Sequence, residues 1–162
     1  MFINMNIFVL DYDFEKCAQY HVDKHVTKLL LESTQLLNNA LITNDSSYIP
    51  VYKQTHKNHP ASLWTAESLQ NFEWLNDLAL ALCVEYTYRY GKTHKCQSIL
   101  EQFNASLSKN KMSNVGMTPF VKCMPDQYKV DDVVESYRNY YKGDKAYIAK
   151  WTKRNVPDWW IK

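Results

Sequence analysis

Five side chains, His21, His25, Lys28, Glu32 and Gln35, follow one another at steps of four, three, four and three residues. On a helix that spacing stacks them along one face. Solvated faces are usually built from Lys, Glu and Arg. Two histidines beside a Lys–Glu pair therefore suggest chemistry, a carboxylate among cations able to hold phosphate; the alternative is a plain polar surface. A second cluster reads His56-Lys57-Asn58-His59-Pro60. Proline suits the first turn of a helix, where free amides and the helix dipole attract anions. The cluster is a seat for phosphate or an N-cap with ordinary loop neighbours. His21-x-x-x-His25 with His56-x-x-His59 also suggests a four-histidine metal site. Only Asp23 and Glu32 stand nearby as carboxylate ligands and no recognised spacing is complete, so no metal and no other cofactor is expected.

A third cluster interleaves aromatic and basic residues: Tyr86, Tyr88, Arg89, Tyr90 and Lys92, then Tyr137, Arg138, Tyr140, Tyr141 and Lys142. Such a mixture stacks on bases and neutralises backbone phosphates, although an amphipathic helix would bury half of these tyrosines. With three glycines in the chain, no P-loop, dinucleotide fingerprint, nucleophile elbow or kinase motif is present.

The elements that position these residues read as helices. Apolar residues recur at Ala18, Val22, Val26, Leu29, Leu36 and Leu37, which predicts a first long helix from Phe14 to about Ala40, capped by Asp13. Ile42 to Asn58 is a polar loop, long enough to be functional. A second long helix runs from Pro60 to Tyr90, with Leu63, Phe72, Leu75, Leu82 and Tyr86 on one side and Gly91 as a left-handed stop. Thr93 is expected to cap a third helix reaching about Phe103. Asn104 to Lys129 reads as irregular. Asp132 and Glu135 form a capping box before a fourth helix, roughly Val133 to Lys142. A helical turn at Lys145–Trp151 and an aromatic tail, Pro157 to Ile161, follow. Ahead of all of these, Ile3 to Leu10 is a short strand or extended arm. The expected fold is all-α: a compact bundle of about four helices, two of them long, with long irregular loops, residues 1–162 forming a single helical domain.

Composition agrees. The 162 residues suit one domain that folds without disulfides or a structural metal. Apolar residues at 46% and charged residues at 22% exclude disorder. Few glycines and prolines argue against a turn-rich sandwich or barrel. Cys17, Cys83, Cys96 and Cys123 include no C-x-x-C pair and read as reduced thiols. No signal peptide or membrane-length apolar run is present, so the expectation is a protein with no membrane partner, located in the cytoplasm, or in the host cytoplasm if it is viral. The net charge of +2 weighs against a large duplex-tracking surface.

Asp23-x-His25 followed by Glu32 on a first long helix resembles the phage pyrimidine-dimer DNA glycosylase (endonuclease V) family. So do Asn58-His59-Pro60 through Trp64 at the start of the second helix, Glu85 to Arg89-Tyr90-Gly91 at its end, and the aromatic run Tyr137-Arg-Asn-Tyr-Tyr-Lys-Gly143. The resemblance spans roughly half the chain and implies a compact helical fold, base excision and strand cleavage at the abasic site. It matches Glu32 to the catalytic glutamate and His25 to a histidine near it. In that family the nucleophile is the amino group of an N-terminal threonine. Here the sequence opens Met1-Phe2, a methionine expected to be retained, about nine residues further from the matched helix. Leu31 and Gln35 stand where the family has arginines. A lysine such as Lys24 or Lys28 would replace the amine if its pKa were depressed.

The first expectation is therefore a protein that binds a small nucleotide, cyclic ones included, and sequesters it without turnover, as a phage would against a host-defence signal. His21, His25, Lys28, His59, Arg89, Lys122, Tyr137, Arg138 and Tyr141 would hold the ligand. The alternative enzyme is a DNA glycosylase with AP-lyase activity on damaged or modified pyrimidines, with Glu32 as general acid or base and His25 orienting it; its partner is nucleic acid. A third alternative is a helical interaction domain, in which changing His25 and Glu32 leaves function intact.

Overall fold

The computed structural model describes residues 5–160. Ile3 and Asn4 of the expected extended segment, Ile161 of the expected tail, and Met1-Phe2 lie outside them. Among the described residues there are six α-helices, α1 (Phe14–Tyr20), α2 (Asp23–Asn44), α3 (Pro60–Glu67), α4 (Leu69–Tyr90), α5 (Gln97–Ala105) and α6 (Val133–Asp144), with short 3-10 helices at Leu107–Lys111, Asp126–Tyr128 and Ala146–Ile148, and no strand. The fold is all-α, as the periodicity predicts. Two helices of 22 residues, α2 and α4, form its centre. They pack on one another, α3 lies against both, and α1 and α5 lie against α4. Leu30, Leu36, Leu37 and Leu41 from α2 meet Phe72, Leu75, Leu78 and Leu82 from α4, all of them buried.

Each expected long helix is divided in two. The first breaks at His21–Val22. His21 turns to extended geometry, and Arg89 of α4 takes the freed carbonyls of Gln19 (3.0 Å) and His21 (2.8 Å). The amide of Asp23 donates to the Lys150 carbonyl at 2.8 Å. Tertiary groups thus satisfy the orphan polar groups that a helix end creates. His21 consequently does not share a helix face with His25, Lys28 and Glu32. The second break is at Ser68, whose hydroxyl accepts from the Asn71 amide at 3.0 Å, an N-cap inside an otherwise helical pattern. Helix α3 then has its own buried face, Ala61, Trp64 and Thr65, and leaves Leu63 exposed rather than in the core.

Helix α5 starts at Gln97, not at Thr93, because His94 Nδ1 accepts from the Cys96 amide. Gly91 ends α4 at φ +68°, and the Asp132 carboxylate caps α6. Residues 5–10 form neither helix nor strand, yet all six are buried, so this segment is a core element rather than a free arm. Asn6 fixes it: its amide donates to the Cys123 carbonyl at 2.8 Å, and the Tyr137 hydroxyl lies 2.9 Å from both Asn6 Oδ1 and the Val121 carbonyl. None of the helices is long and apolar enough to cross a membrane, among the described residues.

Candidate functional site

The start of α2, the buried N-terminal segment, residues 123–125 and the turn after α6 enclose a cavity of about 720 Å³. That volume falls in the range of small-molecule and nucleotide sites. Its lining brings together four of the sequence-predicted residues, His25, Lys28, Glu32 and His59, and adds Lys24, Tyr140, Lys145 and Tyr147.

Glu32 is the buried carboxyl group of the cavity. It is 9% exposed, Oε2 has no hydrogen-bond partner, and no cation pairs with it among the described residues. Burial pushes its pKa up to about 7, against the opposing charges of Lys28 and Lys145. A carboxyl group there exchanges protons near neutrality, the condition for general acid–base work.

His25 sits one turn earlier against Phe8, ring centroids 4.6 Å apart. The Tyr141 hydroxyl is 2.7 Å from His25 Nδ1 and also accepts from the Val22 amide at 3.3 Å. Nδ1 is the one acceptor bonded to the Tyr141 hydroxyl among the described residues, so the tyrosine proton is assigned to it and the His25 proton to Nε2. Burial, reinforced by His21, lowers its pKa to about 2, and burial lowers that of His21 to about 4. Both histidines are neutral at working pH. Burial therefore disfavours a cationic role for either histidine, and the lysines that line the cavity are Lys24, Lys28 and Lys145. Tyr141→Phe should lower stability by roughly 1–3 kcal/mol, because His25 Nδ1 is then buried without a partner; urea denaturation measures this, and an unchanged midpoint would contradict the assignment.

His59 is the N-cap that the sequence offered, and it also stands at the cavity. Its Nδ1 caps α3 by accepting from the Ala61 amide at 3.0 Å.

The other predicted ligand residues lie outside the cavity lining, each held by the fold. His21, fully buried, donates from Nδ1 to the Cys17 carbonyl at 2.6 Å. Arg89 has a side chain with 0% exposure and bridges Asp23 (2.9 Å) and Glu85 (2.7 Å). Glu85 also receives both arms of Arg154, and Thr152 donates to Asp23 from its amide and hydroxyl. Burial pushes both carboxyl groups up, but these hydrogen bonds outweigh it and hold them below their usual values. Lys122 donates to the carbonyls of Val130 and Asp131. Tyr137 and Tyr141 are buried, their hydroxyls bonded within the core. Arg138 donates to the Leu10 carbonyl and to Asp11 and lies over the Tyr20 and Trp159 rings. The Tyr137–Lys142 run is thus mainly the joint between the N-terminal segment and α6, while Arg89 of the first run ties the end of α4 to the junction of α1 and α2.

Among the described residues, no group of three or more His, Cys, Asp or Glu is placed to hold a metal. Cys17, Cys83 and Cys96 are buried free thiols and Cys123 is half-buried. Sequence reasoning missed Lys145, which carries no local motif; only its position after the aromatic run of α6 pointed toward the site.

Fold and site together define a helical protein whose cavity surrounds a carboxyl group with lysines and tyrosines. Residues 5–98 match the family described as pyrimidine dimer DNA glycosylase, more than half of the chain, and the chain belongs to that family. No curated protein and no solved structure gives a match. The matched stretch contains His25, Lys28, Glu32, His59 and Arg89; the wall formed by residues 123–148 lies beyond it.

Proposed function

We propose that the cavity is a base-excision site in which Glu32 is the proton-transfer group for cleavage of an N-glycosidic bond in damaged or modified DNA. The observation that carries this reading is the buried, unpaired Glu32 carboxyl group among lysines. A pocket that only holds an anionic ligand is weakened by a carboxylate that repels phosphate and costs stability to bury. An excision site needs such a group, protonated to release a base or ionised to accept a proton. Lys24 and Lys28 are exposed at the rim, suited to the phosphates that flank an extruded nucleotide. Tyr147, 80% exposed, and Tyr140 offer faces on which a base can stack. His25 Nε2–H is a neutral donor for sugar or base oxygen.

A second reading keeps the pocket without turnover, as a sequestering site for a small nucleotide. The balance of 19 basic against 17 acidic side chains favours it, because duplex binders are usually far more basic. One experiment separates the two. The protein is incubated with duplexes bearing a cyclobutane dimer or an oxidised pyrimidine, and separately with mono- and cyclic nucleotides. Release of free base, absent in Glu32→Gln, is the expected result. Intact nucleotide recovered only on denaturation, with a raised melting temperature and no base release, would replace excision with sequestration.

A further inference from the structure

Lys145 is 8% exposed, which is rare for a lysine, and it lines the same cavity as Glu32. It stands at the turn between α6 and the 3-10 helix Ala146–Ile148. Its Nζ lies 5.1 Å from the centroid of the Tyr140 ring and 6.0 Å from that of Phe8, contacts that partly replace lost hydration. The adjacent carboxylate, Asp144, accepts from the Tyr128 hydroxyl at 2.6 Å, and no ion pair joins it to Lys145 among the described residues. Gly143 permits that arrangement, since a Cβ there would stand 2.3 Å from the Tyr128 ring. Burial lowers the proton affinity of Lys145, and Lys28 acts in the same direction, while Asp144 and Glu32 oppose it. A buried amine with lowered proton affinity is a better nucleophile toward carbonyl carbon than a fully hydrated ammonium.

We propose that Lys145 is the amine that forms a covalent imine with the abasic sugar, which rests on the excision reading above and assigns strand cleavage to the same cavity. The Nζ lone pair adds to the C1′ aldehyde of the ring-opened sugar. The carbonyl oxygen takes up protons and leaves as water, so that amine and aldehyde become imine and water. The protonated imine acidifies C2′–H. Glu32, ionised once it has given its proton to the departing base, accepts the C2′ proton. The C–H pair becomes the C2′–C3′ double bond, and the 3′ phosphate leaves with the C3′–O pair. Water then hydrolyses the imine and restores the lysine. Lys24 and Lys28 also face the cavity, but both are exposed, so their amines remain hydrated and the buried Lys145 is the better placed.

The test uses the full chain and a duplex carrying one preformed abasic site, with borohydride to reduce any imine to a stable amine. A covalent adduct is expected, and peptide mass spectrometry should place it on Lys145. Lys145→Arg keeps a cation at the position but forms no such imine, so trapping on a preformed abasic site should fall at least 100-fold. An adduct on Lys24, Lys28 or the chain's α-amino group, or no adduct at all with the wild-type protein, would overturn the proposal, and mapping on wild type decides this even if the variant folds poorly. Absence of base release with trapping on Lys145 intact would remove the excision reading and leave the lyase amine standing.

Discussion

Glu32→Gln should lower base release by 10²–10⁴-fold, the usual contribution of a positioned acid–base group, and should at the same time stabilise the protein at alkaline pH. The two effects share one cause. In the unfolded chain Glu32 titrates near 4.5, and in the folded protein burial raises this to about 7. Below the lower value the group is protonated in both states. Between the two values folding takes up a proton, so the favourable contribution of the protonated group is lost as the pH rises through about 7. Above that the folded state carries a buried carboxylate at a cost on the order of 2–3 kcal/mol. Glutamine cannot ionise, so the variant should melt roughly 5–10 °C above wild type at pH 8 and converge with it near pH 4.5. Thermal melts across that range measure the effect. Equal melting at pH 8 would mean that Glu32 is a solvated surface carboxylate, and unchanged base release would remove it from the mechanism.

The largest loss of stability is expected from Arg89→Met. The guanidinium is fully buried, pairs with two carboxylates and closes the end of α1 through the carbonyls of Gln19 and His21. Removing one partner of a buried network leaves charge without compensation, at a cost of about 3–5 kcal/mol. Glu85 keeps Arg154 and Asp23 keeps Thr152, which places the loss within that range rather than above it. Urea denaturation should show a lower midpoint with little change in slope. Had Arg89 been a ligand residue, as its aromatic neighbours in sequence suggested, the variant would lose affinity and keep its stability. That outcome would contradict the structural assignment.

The contrast between Glu32 and Arg89 shows what the chain discloses by itself. Pro60, Gly91 and Asp132 are local signals, and each marks a boundary that the structure keeps. Lys28 and Glu32 sit one turn apart on a single helix, so their spacing was enough to bring them to one cavity. The break at His21–Val22 was not legible, because its cause is Arg89 and the Lys150 carbonyl, groups more than 60 residues away. Ser68 could have been read, as a capping residue three places before Asn71, had the apolar pattern around it been less continuous. The tyrosine and arginine runs misled for a general reason: an amphipathic side chain with a hydrogen-bond partner is as good a core element as a stacking surface. Tyr137, Tyr141 and Arg138 found those partners in the N-terminal segment and in α2, which no spacing within α6 reveals.

The most direct test of the excision site is single-turnover release of free base from a damage-bearing duplex, followed from pH 5 to 9 in wild type and in Glu32→Gln. A wild-type profile that bends near pH 7, together with loss of release in the variant at every pH, is the predicted result. Release that is absent throughout, or that persists in Glu32→Gln with the same pH dependence, would contradict the assignment of this cavity to base excision.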